Sequence, residues 1–270
     1  MDSKISMKPP FAYYGGKQKM ALEICKIMPE HVLYCEPFVG GGAVFWAKEP
    51  SDIEVLNDTN RELVNFYRVV QNDFVSLEKE IAISLHSRDL HRKASVIYNN
   101  PDMFSELKRA WAVFVLASQS FSAMLDGTWG YDVKKGRTSK VVSNRRDNFT
   151  LEYATRLQRV TLECADALYI IRSRDAATSF FYCDPPYFNS DCGHYDGYSL
   201  ADFEALLITL SAIDGKFLLS SYDSEVLQKY VALNGWNQRR YEFKVSVNAK
   251  SGNLKKKVEV LTANFPLEGL

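Results

Sequence analysis

The chain has 270 residues, 46% of them hydrophobic, enough for a sizeable core in one large domain or one domain plus an insertion. Basic and acidic residues balance at 33 each, so no net field draws a polyanion to the whole molecule, and nucleic-acid binding would need a local basic patch. Five scattered cysteines (Cys25, Cys35, Cys164, Cys183, Cys192), a Met1-Asp2-Ser3-Lys4 start without an apolar core and the lack of any membrane-length run predict a soluble, reduced, cytoplasmic protein.

Residues 17–28 read as an amphipathic helix ending before Pro29. Val32-Leu33-Tyr34-Cys35 is a short apolar strand, followed by Glu36-Pro37-Phe38-Val39-Gly40-Gly41-Gly42 and a short helix at Ala43-Val44-Phe45-Trp46. Ile53-Glu54-Val55-Leu56 is a second strand, closed by Asn57-Asp58-Thr59-Asn60, with a helix over 61–71. Strand, glycines, helix, strand and acid in that order make the first half of a doubly wound nucleotide-binding sheet. From about residue 73 helices replace strands. The stretch 104–125 is apolar nearly all round and predicts a buried helix, whereas 126–149 is turn-rich and polar. Strand signals return at 179–184, 216–222, 240–247 and 257–265, the last two as an antiparallel hairpin. The expected architecture is one α/β domain, 1–74 with 161–270, interrupted by a mainly helical insertion over 75–160.

The most readable chemistry is Asp184-Pro185-Pro186-Tyr187, which ends the apolar run Ser179-Phe180-Phe181-Tyr182-Cys183. Two prolines cannot continue a strand ladder, so the motif falls at the carboxyl edge of a sheet, where open α/β folds bind ligands. A carboxylate beside a proline carbonyl gives two acceptors suited to gripping an NH2 group, and Tyr187 offers a face for the ring that carries it. Pro186 presets the backbone of Pro185 and with it the carbonyl direction.

Gly40, Gly41 and Gly42 permit a tight turn and close approach of a ligand to the main chain. Asp58, 18 residues after Gly40, ends the next strand, where an acid accepts bonds from ribose hydroxyls; a helix N-cap is the alternative. The spacing is not that of a dinucleotide fingerprint. Tyr13-Tyr14-Gly15-Gly16-Lys17 suits a clamp for a ligand that carries a carboxylate and an adenosine. Lys134, Lys135, Arg137, Lys140, Arg145 and Arg146, with no acid among them and with Trp129 and Tyr131 just upstream, form a local phosphate footprint; a solvated charged loop is the bland alternative. Lys250, Lys255, Lys256 and Lys257 form a second basic stretch. Cys183, Cys192 and His194 lack paired metal spacing, so no metal is expected.

Taken in order, Tyr13-x-Gly15-Gly16-Lys17, Glu36-Pro37-Phe38-Val39-Gly40-Gly41-Gly42, Asn57-Asp58, Asp184-Pro185-Pro186-Tyr187 and Lys255-Lys256-Lys257-Val258-Glu259 resemble the Dam-type DNA adenine-N6 methyltransferases. The resemblance covers roughly 11–72 and 160–265. It implies a Rossmann-like sheet dependent on S-adenosylmethionine (AdoMet), with a C-terminal β-hairpin and an inserted target-recognition domain. It further implies AdoMet as methyl donor and a short sequence of double-stranded DNA as substrate, in a bacterial or phage-encoded enzyme. A compact chain with one recognition insertion is expected to act as a monomer or weak dimer. By this resemblance Tyr13, Gly15, Gly16, Lys17, Glu36, Pro37, Phe38, Gly40, Gly42, Asp58, Asp166 and Asp184 serve the donor. Asp184, Pro185, Pro186 and Tyr187 act on a flipped-out adenine, and Lys255 and Lys256 join Trp129, Tyr131 and the basic cluster on DNA. Tyr13 stands where many members have tryptophan. Asp126-Gly127-Thr128-Trp129-Gly130-Tyr131-Asp132-Val133 departs from the Arg-Tyr-Asn-like and Phe-Asn-Val-Pro-like elements of GATC-specific members. Cytosine-N4 enzymes more often carry Ser-Pro-Pro-Tyr, and RNA or protein-glutamine enzymes favour Asn in place of Asp184. A DNA-binding module without catalysis would have no need of the acidic, glycine and aromatic positions.

Overall fold

Apolar runs closed by glycine, proline or an acid become the strands, and the amphipathic stretches between them become helices. The computed structural model describes residues 7–134, 136–188, 197–244 and 256–267. In chain order the elements are α1 (Ala21–Ile27), β1 (Leu33–Glu36), α2 (Ala43–Ala47), β2 (Ile53–Asn57), α3 (Arg61–Asn72), α4 (Phe74–Ala82), α5 (Arg88–Asn99), α6 (Glu106–Gln119), α7 (Arg137–Asp147) and α8 (Glu152–Leu157). They continue with β3 (Val160–Glu163), α9 (Ala167–Ser173), β4 (Ser179–Cys183), α10 (Leu200–Ser211), β5 (Lys216–Tyr222), α11 (Glu225–Asn234), β6 (Asn237–Lys244) and β7 (Lys256–Ala263). No helix among the described residues is long and apolar enough to cross a membrane.

The strands form a seven-stranded sheet in the order β3-β2-β1-β4-β5-β7-β6. Pairing is parallel for β2–β3, β1–β4 and β4–β5, and antiparallel for β5–β7 and β6–β7. The fold is therefore mixed α/β and Rossmann-like, and its strand order reverses between β1 and β4. Such a switch point opens a crevice at the carboxyl ends of the two strands. Tyr34 pairs with Phe180 and Cys35 with Phe181, so β1 delivers Glu36 and β4 delivers Asp184 to the same sheet edge.

Two compact units divide the chain. Met1–Lys26, Val39–Pro50 and Glu54–Ala165 make the first; Ile27–Phe38, Ser51–Ile53 and Asp166–Leu270 make the second. In the first unit α6 is buried along Ala110–Gln119, as its all-round apolar sequence requires, and a bidentate Arg109–Glu62 pair (2.8 and 2.6 Å) ties it to α3. In the second, Phe180, Phe181, Phe217, Leu218 and Leu219 of β4 and β5 are fully buried. Each such side chain contributes about 1.5–3 kcal/mol relative to exposure.

Four local features differ from the sequence expectation or decide between its alternatives, each for a physical reason. The helix expected over 17–28 starts only at Ala21, because Gly15 adopts φ 74 and the chain turns through Gly16 N–H to Tyr13 O (3.0 Å) and Met20 N–H to Lys17 O (2.9 Å). The helix after β2 is capped by Asn60, whose side chain accepts from the N–H groups of Glu62 and Leu63, so Asp58 is not its N-cap. The stretch 126–149 contains the helix α7, which buries only Val142 and has no apolar stripe to announce it. Its start is stabilised from a distance: the Asp132 carboxylate accepts from Gly136 N–H (2.7 Å) and Thr138 N–H (2.9 Å). Finally, Val160-Thr161-Leu162-Glu163 forms β3 without a strand signal in the sequence, because it is four residues at a sheet edge with only Val160 buried.

Candidate active site

In the first unit the glycine turn is held by its main chain. Val39 N–H donates to Asn57 O at the end of β2 (2.8 Å), and Gly42 N–H closes the turn on Val39 O (2.7 Å). Gly40 adopts φ 48, its N–H donates to Asp58 Oδ2 (3.0 Å), and its carbonyl accepts from the Tyr67 hydroxyl (2.7 Å). A Cβ on Gly41 would stand 2.8 Å from Tyr13 Cβ, and one on Gly40 would stand 3.0 Å from the Tyr13 ring. The Tyr-x-Gly-Gly-Lys segment and the triple glycine, distant in sequence, are therefore one packed feature. Lys17 is buried and its ammonium donates to Gly15 O (3.1 Å).

Asp58 is half-buried. Its Oδ1 accepts from Asn60 N–H (2.9 Å) and its Oδ2 from Gly40 N–H, which leaves each oxygen a further lone pair. Burial pushes its carboxyl above the usual range, and the two N–H bonds offset only part of that. Behind it, Asn57 exchanges two bonds with Ala165: Nδ2 donates to its carbonyl (3.0 Å) and Oδ1 accepts from its N–H (2.9 Å). The flanks of the turn share a buried ion cluster, in which Glu54 accepts from Lys48 Nζ (2.6 Å) and from Arg156 Nη2 (2.8 Å).

In the second unit, Glu36 is buried at the end of β1 and accepts from the Tyr34 hydroxyl (2.5 Å). Pro37 and Phe38 follow it, and the Phe38 ring meets Tyr198 edge-on at 6.4 Å. Asp184, Pro185, Pro186 and Tyr187 leave β4 at the same edge; Pro185 is buried and the other three are half-buried. The Tyr187 hydroxyl donates to Asp184 Oδ1 (3.3 Å), and its ring packs edge-to-face on Tyr222 at the end of β5 (4.4 Å, 68°). Burial first, and then the Asp184 charge, push the Tyr187 hydroxyl well up, so it stays a donor. Burial also raises the Cys183 thiol, which packs as an inert strand residue. Asp166 is exposed and caps α9 by accepting from Tyr169 N–H (2.8 Å).

The basic cluster divides by exposure. Lys134, Arg137 and Lys140 are exposed around the start of α7. Arg145 turns inward to the carbonyls of Ala117 (3.2 Å) and Ser118 (3.3 Å), and burial lowers its pKa. Arg146 pairs with Asp147 (2.9 Å). Trp129 and Tyr131 stack at 5.4 Å and 19°. Lys135 and Lys255 lie outside the described residues, as do Lys250, Cys192 and His194, while Lys256 opens β7. Among the described residues no group of His, Cys, Asp or Glu stands together as a metal site. Tyr67 and Tyr222 were missed by sequence reasoning. Neither lies in a motif, and the sole hint was that Tyr222 ends a predicted strand.

The sheet is Rossmann-like, and Asp184 and Tyr187 stand at the carboxyl end of β4, beside the switch point where open α/β folds bind ligands. Residues 13–244 match the family described as D12 class N6 adenine-specific DNA methyltransferase. The chain is 26% identical to the Type II methyltransferase M1.LlaDCHI of Lactococcus lactis subsp. cremoris, with 97% of each chain covered. It is 26% identical to a DNA adenine methylase of Serratia marcescens over 80% of this chain and 84% of that one. It is 28% identical to a DNA N-6-adenine-methyltransferase of Escherichia phage P1 over 66% of this chain and 24% of that one. The chain belongs to the D12 class N6 adenine-specific DNA methyltransferases, enzymes that methylate adenine in DNA, and this membership implies AdoMet as the donor.

Proposed function

We propose that Asp184 and the Pro185 carbonyl accept the two hydrogens of an adenine N6 amine while Tyr187 stacks on the base. The observation that carries this reading is the Asp184–Tyr187 hydrogen bond at the carboxyl end of β4, beside the β1 edge where the strand order reverses. The adenine amine is a poor nucleophile because its lone pair is delocalised into the ring. Two acceptors on the N–H bonds favour localisation of that lone pair on nitrogen. Asp184 need not be a strong base, since the proton can leave after attack. The remaining work is positioning and charge stabilisation. An N6 amine inside a duplex is paired and stacked, so the base flips out, and the aromatic face of Tyr187 receives it.

The residues of the glycine turn fit the donor. Bound AdoMet supplies a methyl sulfonium, the electrophile for a nitrogen lone pair. The spare lone pairs of Asp58 suit ribose hydroxyls, and the glycines let a ligand approach main chain that a Cβ would block. Lys17 provides the counter-charge for a carboxylate. Tyr13, Gly15, Gly16, Glu36, Pro37, Phe38, Gly40, Gly42, Asp166 and Asp184 complete the donor site in this proposal. The helices of 75–160 act as the DNA-recognition insertion, with exposed Lys134, Arg137 and Lys140 on phosphates, beside Trp129 and Tyr131. The enzyme works where its DNA is, in a bacterial cytoplasm or that of a phage host.

Asp184→Ala tests the assignment. Tritium transfer from labelled AdoMet to DNA is expected to vanish while DNA binding persists, because Asp184 serves as an acceptor and makes no phosphate contact. Retained transfer contradicts the assignment.

A further inference from the structure

Arg88 opens α5, with Ser87 as the N-cap. A cation there faces the positive end of the helix dipole, so helix stability does not explain it. Arg92 and Lys93, one turn on, both pair with Asp89 (3.0 and 2.8 Å). Arg88 is exposed and, among the described residues, pairs with no carboxylate. Its guanidinium lies instead 4.7 Å from the Trp129 ring centroid and 5.7 Å from that of Tyr131.

The stack beneath it is built in. His86 stacks on Trp129 (4.7 Å, 20°), and His86 Nε2 lies 2.9 Å from Gly130 O. Gln119 joins both sides: its Oε1 accepts from Ser87 N–H (3.0 Å) and its main-chain carbonyl from Gly130 N–H (2.7 Å). The turn between α6 and Trp129 holds two non-glycine residues in left-handed backbone, Ser122 (φ 55) and Ala123 (φ 58). Strain of this kind persists where the surroundings over-determine it and clusters at working sites.

We propose that Arg88, fixed on the Trp129–Tyr131 stack, is a specificity-determining residue that reads the O6/N7 edge of a guanine in the target duplex. The inference rests on the reading of 75–160 as the DNA-recognition insertion and goes beyond it by naming the base and the residue that reads it. Stacking a guanidinium on rings restricts its rotamers while leaving its in-plane donors for a bidentate partner. That arrangement matches the O6/N7 edge of guanine in the major groove; the same fork also fits a phosphate, and the response to 7-deazaguanine separates the two.

The test measures methyl transfer by wild type, Arg88→Ala and Arg88→Lys on a duplex library. The recovered target is then remade with 7-deazaguanine, which lacks N7, at each guanine in turn. Wild type should lose roughly 10- to 100-fold at one guanine. Both variants should be slow on the normal target and indifferent to 7-deazaguanine at that position, and Arg88→Lys should keep the wild-type salt dependence of binding. A target without guanine overturns the proposal, as do variants as sensitive as wild type. A uniform loss on every sequence, with the salt slope smaller by about one, assigns Arg88 to a phosphate and also overturns it. A Lys134→Ala/Arg137→Ala/Lys140→Ala variant separates the two readings. If it binds duplex with unchanged affinity and salt dependence, the insertion reading fails, and this proposal with it.

Discussion

The glycine turn at 39–42 and the aromatic stack of His86, Trp129 and Tyr131 lie in the same compact unit, yet opposite means hold them. The turn is a main-chain object: Gly40 accepts a left-handed φ, Gly41 leaves room for Tyr13, and Asp58 and Tyr67 bond to Gly40 N–H and C=O. The stack is a side-chain object, assembled from the head of α5 and from residues that follow α6, and fastened by Gln119. A main-chain object tolerates almost no substitution, because the space it uses is the space a Cβ would fill. A side-chain object can be retuned one ring at a time. That contrast is what the proposed roles require: one ligand at the turn, and a surface at the stack that must distinguish sequences.

Substitutions can sharpen or break the contrast. The largest stability effect should come from Glu54→Ala, beneath the turn, which leaves Lys48 and Arg156 buried without their shared carboxylate. Loss of a buried partner costs about 3–5 kcal/mol, read by denaturant unfolding. Burial opposes ionisation of Glu54, but Arg156 and Lys48 outweigh it and hold its carboxyl below the usual range. Its stabilising contribution is therefore complete above the ordinary carboxyl range and is lost as pH falls through the depressed value.

Gly41→Ala should follow, at about 1–3 kcal/mol for an overpacked site, seen as weaker AdoMet binding with duplex binding retained. Trp129→Ala should do the reverse. Duplex affinity falls by about 1 kcal/mol as the ring under Arg88 is lost, while the AdoMet Kd stays put. If both variants weaken both ligands, the two objects are not independent.

The smallest effect should be a pH profile. Because burial raises the Asp58 carboxyl, AdoMet affinity should increase with pH as that proton is lost, then level off above the raised value. The rise is at most about tenfold per unit. The ligand-free fold should lose stability as pH rises through the same window, since the folded state binds the proton more tightly. Asp58→Asn should flatten a calorimetric Kd–pH profile. An unchanged slope assigns the titration to another group.

What the sequence disclosed follows the same division. The strands β1, β2, β4 and β5, the terminal hairpin and the buried helix α6 were legible, because apolar runs end at glycine, proline or acid. The link between Tyr13 and Gly41 was legible only as two motifs, since a missing Cβ does not reveal which ring fills its space. Asp58 showed itself as an acid after a strand, but its bond to Gly40 depends on the turn's three-dimensional path. His86 and Arg88 carried no signal, since an arginine at a helix start reads as an ordinary surface charge until the rings beneath it are seen. The helix α7 was hidden because Asp132, outside the helix, supplies its cap.

The most direct measurement is nucleoside mass spectrometry of unmethylated bacterial DNA after incubation with AdoMet and the purified chain, wild type beside Asp184→Ala. The account predicts N6-methyladenine from wild type and none from the variant. N4-methylcytosine from wild type, or N6-methyladenine from both, would contradict it.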